Sequence, residues 1–141
     1  MTTGGGVMNM KKMVLASLAV FGAFEVMDYI IHGVILSPVY AQLAHLWRQD
    51  MMSKMWLMAL STLVMSVMFV YIFIKGYENK GIAEGLRFGI VAGLFMNVIG
   101  MFSQYVMYPI PFSLAVKWFI FGMLEFIIAG IVAALIYKPV K

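Results

Sequence analysis

The sequence predicts an all-α integral membrane protein, an up-down bundle of four transmembrane helices with both termini cytoplasmic. Three observations lead there. Of 141 residues, 64% are hydrophobic and only 11% are charged, less than half the roughly one quarter that soluble domains carry. The apolar residues fall in four long blocks, each near the roughly twenty residues a helix needs to cross a hydrocarbon core about 30 Å thick. Lysine and arginine are divided unevenly between the segments joining the blocks, as the positive-inside rule requires.

Residues 1–12 read as a flexible N-terminal segment, with Gly4 to Gly6 followed by Lys11 and Lys12. The first span is 13–36. A cleaved signal peptide is the competing reading, but signal cores run about 7–15 residues, and a cut after Ala23 would put bulky Phe21 where a small side chain is needed. The span is therefore read as retained, and Pro38 ends it because proline cannot continue the hydrogen-bond ladder. Residues 39–54 are long enough for a short interfacial helix. Tyr40, Trp47 and Trp56 suit the headgroup belt.

The second span is 55–74, free of charge throughout. A polar connector from Lys75 to Arg87 leads to the third span, 88–108. Pro109 and Pro111 make a tight turn into the fourth span, 112–137, and residues 138–141 form a short tail. Lys11, Lys12, Lys75, Lys80, Arg87, Lys138 and Lys141 then share one side. Arg48 and Lys54 mark the other, with Lys117 just inside the membrane. This asymmetry predicts an inner, cytoplasmic-type membrane and cytoplasmic ends.

Several function classes are excluded by what is missing. Without cysteine, the chain can form no disulfide, thiolate metal site, cysteine nucleophile or c-type haem attachment. The net charge of +4 is scattered over short loops, which argues against nucleic acid as a partner. No nucleophile elbow, phosphate loop or His-Glu-x-x-His motif is present, so no enzymatic reaction is assigned.

Two residue patterns bear on packing. Gly81, Gly85, Gly89 and Gly93 recur every fourth position, continued by Asn97 and Met101. Small residues at this spacing let helix backbones approach closely. Gly130 with Ala134 offers a second such face on the fourth helix. The partner of these faces is either another helix of the chain or a neighbouring subunit. Among fifteen methionines, Met51, Met55, Met58, Met65 and Met68 fall near one face of the second helix. Thioethers suit copper(I), but filling gaps in a core is the commoner use.

The ionisable residues inside the spans are the main functional signal, because a charge at the bilayer centre costs several kcal/mol unless paired or neutralised. Glu25, Asp28 and His32 share one helix face. Placing the helices by depth sets Glu25, Asn97 and Glu125 in a central layer. Asp28, His32, Gln104 and Lys117 fall in a layer nearer the outer side. Lys117 lies about 12 Å from Glu125 along its helix. Three uses of such a polar core stay open: internal pairing of Lys117 with Asp28 or Glu25, a proton or cation pathway, and a bound metal ion.

The spacing Asp28-x3-His32-x12-His45 resembles that of the copper ligands in the C subunit of membrane-bound methane and ammonia monooxygenases. The resemblance covers residues 28–45 and no more of the chain. It implies Asp28, His32 and His45 as ligands of copper or another divalent cation. His32 and His45 could in principle ligate one b-type haem, although they lie on either side of Pro38.

The functional expectation is a small inner-membrane protein whose polar core binds or passes a proton, cation or metal ion. The alternative is a non-catalytic accessory subunit of a larger membrane complex. Its expected surroundings are the lipid bilayer and either copies of itself or the subunits of such a complex.

Overall fold

The computed structural model describes residues 7–138, and these are helical nearly throughout. The triple glycine and the end of the C-terminal tail lie outside the described residues. Helix α1 (Met10–Asp28) starts at Asn9, whose side-chain oxygen accepts a 3.1 Å hydrogen bond from the Lys12 amide. Such N-caps satisfy donors left over in the first turn.

Beyond Asp28 the helix widens into a π-helical stretch, Tyr29–Ile35, closed by the Leu36 amide donating to the Ile31 carbonyl at 2.8 Å. Pro38 offers no N–H to the carbonyl four residues before it. The chain nevertheless does not stop there: Pro38 sits in the first turn of a new short helix, α2 (Ser37–Gln42). Two 3₁₀ turns, Ala44–Leu46 and Met51–Lys54, lead into α3 (Met55–Lys75). Helices α4 (Ile82–Met107) and α5 (Phe112–Ile136) complete the chain.

Four segments, Met10–Ile35, Met51–Lys75, Ile82–Met107 and Phe112–Ile136, are long and apolar enough to cross a membrane. The helical part of the third begins six residues before the expected 88. Glu84 and Arg87 look like connector residues in the sequence, but both are helical. The Glu84 carboxylate is buried and accepts the amides of Glu78 (2.6 Å) and Lys80 (2.9 Å). Arg87 donates to Glu78 at 3.1 Å. The acid thus caps the connector from within the first turn of α4, where a negative charge also suits the helix dipole. Gly81 enters that turn with φ of +66°, which side chains other than glycine adopt only with strain.

Helices α1, α3 and α5 enclose the main core, in which Ala16, Val20, Phe24, Phe69, Val70, Phe73, Phe126, Ala129 and Ala133 are buried. Phe24 meets Phe126 edge-on with ring centroids 5.3 Å apart. A second apolar cluster, Ile31, Leu36, Ile110 and Leu114, lies toward the α2 end of the bundle with Tyr40, Trp47, Trp118 and Phe121 packed on it.

Helix α4 packs almost wholly on α5. Gly85, Gly89, Gly93, Gly130 and Ala134 are all buried at this contact. A Cβ added at Gly85 would overlap the Gly130 carbonyl oxygen, and one at Gly89 would overlap that of Phe126. The partner of the glycine row is therefore α5 of the same chain. The methionine face of α3 differs from the core-filling role expected. Met51, Met55, Met58 and Met68 are exposed on the bundle surface, and of that face only Met65 packs on the core. Helix α3 fully buries residues only from Ser66 onward, and its first half is largely exposed.

Candidate functional site

Between the two apolar clusters lies a line of polar side chains. On α1, Phe24 belongs to one cluster and Ile31 to the other, with Asp28 between them. On α5, Phe126 and Phe121 bracket Glu125 in the same way. Glu125 is only 8% exposed. Its Oε1 is enclosed and meets no hydrogen-bond donor among the described residues. The neighbouring acidic side chain is a second carboxyl, Asp28.

From Asp28 the line continues toward the α2 end of the bundle. His32, one turn on, places Nε2 3.6 Å from the Asp28 Oδ1, a charge contact slightly beyond hydrogen-bond length. The other ring nitrogen, Nδ1, lies 2.5 Å from the Tyr40 hydroxyl. The two rings stack with an interplanar angle of 9°. The Trp118 indole N–H donates to the same hydroxyl at 2.7 Å, and the Trp47 indole N–H donates to the Tyr40 carbonyl at 3.1 Å. The result is a chain of neighbouring groups, Glu125–Asp28–His32–Tyr40–Trp118, running from the buried centre of the bundle to its α2 end. Asp28 and His32 are open along one side, their side chains 41% and 42% exposed.

Local structure explains why these residues meet. The wider turns of the π-helical stretch carry His32 and return the chain at Leu36. The short helix α2 then brings Tyr40 back over the ring eight residues earlier. π-Helical turns inside α-helices are frequent at functional sites. Leu114 and Trp118 of α5 close the layer from the other side.

The sequence-derived layers are only partly gathered. Glu125 lies against Asp28, not Glu25. Glu25 is half-buried one turn before Asp28, and its side chain makes no hydrogen bond or ion pair among the described residues. Asn97 is buried. Its Nδ2 donates to the Gly93 carbonyl at 2.9 Å, and its Oδ1 occupies the space a Cβ on Gly122 would need, so it belongs to the α4–α5 contact. Gln104 and Lys117 are exposed and stand outside the polar line. Lys117 forms no ion pair among the described residues, so the pairing with Asp28 or Glu25 is not made. Depth along a helix was readable, but the face toward which each residue turns was not.

The residues of the metal reading are likewise only partly brought together. Asp28 and His32 adjoin, but His45 is exposed on the turn Ala44–Leu46. The described residues hold no group of three acidic, histidine or cysteine side chains suited to one ion. Tyr40 and Trp118 were absent from the sequence-derived site. Tyr40 lies eight residues past His32, a spacing with meaning only once the intervening chain turns back. Trp118 looks like any interfacial aromatic. Comparison with protein-family models, with curated proteins and with solved structures finds no match for this chain.

Proposed function

We propose that this chain is a small integral protein of an inner-type membrane that takes up and passes protons through His32, Asp28 and Glu125. The observation that carries this reading is the enclosed Glu125 Oε1, without a donor and set against a second carboxyl. Two ionised carboxylates at that range repel each other and offer each other only acceptors. One proton held between them supplies the missing donor and removes the repulsion. A proton-sharing pair joined to an imidazole and a phenol that reach the bundle end has the parts of an exchange path. Each transfer breaks one O–H or N–H bond as it makes another, and nothing else changes. Ionisable side chains kept within membrane spans despite their cost commonly serve such relays.

Four spans return the chain to the side on which it began. The lysines and arginines near that side, Lys11, Lys12, Lys75, Lys80, Arg87 and Lys138, support its being cytoplasmic. The α2 end, with Tyr40 and Trp118, then faces outward.

The reading is tested by reconstituting the protein in vesicles that enclose a pH-sensitive dye and imposing a proton gradient. Uptake is expected for the native protein and a reduction of roughly tenfold or more for Glu125→Gln and Asp28→Asn, with helix content unchanged. Undiminished uptake in both variants would defeat it.

A second reading, an accessory subunit of a larger membrane complex or a homo-oligomer, is favoured by one observation. Helix α4 is held almost wholly by α5, leaving Phe95, Ile99 and Val106 uncovered. The mass of the particle extracted in mild detergent distinguishes a lone chain from a complex.

A further inference from the structure

Resting on the proton-passing reading, we infer that Tyr40, its oxygen anchored by Trp118, is a positioning residue that holds His32 with the Nε2 proton aimed at Asp28. The argument is a donor and acceptor count along the line. Indole N–H is a donor only, so at 2.7 Å it is Trp118 that donates and the Tyr40 oxygen that accepts. That leaves the Tyr40 hydroxyl one proton to give and one lone pair. Its neighbour at 2.5 Å is His32 Nδ1, and no other acceptor for that proton is found among the described residues.

A neutral imidazole has one protonated nitrogen and one bare nitrogen. With the proton on Nε2, the N–H faces the Asp28 carboxylate 3.6 Å away as a charge contact, and bare Nδ1 accepts the Tyr40 proton. With the proton on Nδ1, the Nε2 lone pair faces a carboxylate 3.6 Å away, and the Tyr40 proton has no acceptor. The group on the far side of a histidine ring commonly fixes its tautomer in this way.

The consequence is directional. The donors run Trp118 to Tyr40, Tyr40 to His32, and His32 to Asp28, all toward Glu125. A proton arriving on the free lone pair of Tyr40 lets the phenol proton pass to Nδ1 and the Nε2 proton pass to Asp28. The line then ends with Nδ1 protonated and Nε2 bare. Rotation of the Tyr40 hydroxyl and return of His32 to its first tautomer must follow before the next proton. Trp118 can take no proton from Tyr40, so it anchors the phenol without extending the path.

The test is a nitrogen-15 spectrum of the imidazole in lipid nanodiscs. With His45→Gln as background, His32 is the only histidine; His45 is exposed and touches none of these groups. For the otherwise native chain the expected result is one neutral tautomer, protonated on Nε2, with the Nδ1 resonance displaced by an accepted hydrogen bond. Tyr40→Phe should return Nδ1 to the position of an unbonded bare nitrogen with helix content unchanged, and Trp118→Phe should move it in the same direction. A native spectrum with the proton on Nδ1 overturns the inference, as does an Nδ1 resonance unmoved by Tyr40→Phe. An unmoved resonance in Trp118→Phe overturns the anchoring role. The spectrum needs no transport, so a failure of vesicle uptake with these shifts intact would count against proton passage and not against the positioning by Tyr40.

Discussion

Gly85 and Gly130 meet backbone to backbone, so that a Cβ built on either one would overlap the carbonyl oxygen of the other. This contact, repeated one turn along at Gly89, joins α4 to the rest of the bundle. Gly85→Ala and Gly130→Ala should each destabilise by about 1–3 kcal/mol, the usual cost of overpacking. Gly22 is the internal control, because nothing lies within 4 Å of a Cβ built there. Gly22→Ala should be neutral or stabilising by up to about 1 kcal/mol. Unfolding in mixed detergent micelles measures all three, and equal behaviour of Gly85→Ala and Gly22→Ala would contradict the close contact.

Lys117 gives a prediction opposite to the one drawn from depth alone. A lysine paired with Asp28 would leave a stranded acid when replaced, costing about 3–5 kcal/mol. Lys117 is instead exposed on α5. Lys117→Met should therefore alter stability by less than about 0.5 kcal/mol. A loss of several kcal/mol in the same unfolding measurement would restore the buried pairing.

Glu84 holds the connector before α4 through two backbone amides. Hydrogen bonds to charged groups contribute about 1.5–3 kcal/mol each. Glu84→Ala should destabilise by about 2 kcal/mol or more and speed amide exchange over residues 78–81. Exchange at the native rate would show that the connector is held by other contacts.

Acid should loosen the outer face of the same connector. Hydrogen bonds from Lys80 and then Arg87 hold the Glu78 carboxyl below its ordinary value of 4.5. A carboxyl lowered in the folded state contributes stability above its unfolded value and loses it as the pH falls through its folded value. The Arg87 side-chain resonances should therefore shift as the pH drops below about 4.5, and Glu78→Gln should abolish that transition. The same transition in Glu78→Gln would assign it to another group.

The sidedness proposed above rests on the distribution of lysine and arginine. A reporter fused after Lys141 should be active only in its cytoplasmic form, and one inserted at Gln49, in the segment joining the first two spans, only in its exported form. The reverse pattern would turn the polar line to face the cytoplasm.

Much was legible in the sequence because helices long and apolar enough to cross a membrane obey simple one-dimensional rules. Four apolar blocks of spanning length, Pro109 and Pro111 at the last turn, and the four-residue glycine row follow from helix length, backbone hydrogen bonding and close packing. The same rules singled out Asp28, His32 and Glu125, since an ionisable group within a span is costly wherever it points. What only the tertiary structure decided is which of these groups meet. Depth along a helix is linear in residue number, whereas the facing of two helices depends on their register and crossing. That difference set Asp28 rather than Glu25 against Glu125, and left Gln104 and Lys117 outside the polar line. The return of Tyr40 onto His32 needed a π-helical stretch and a short helix after Pro38. No periodicity in the sequence encodes that geometry, because it comes from the packing of Leu36, Leu114 and Trp118 around a single turn of chain.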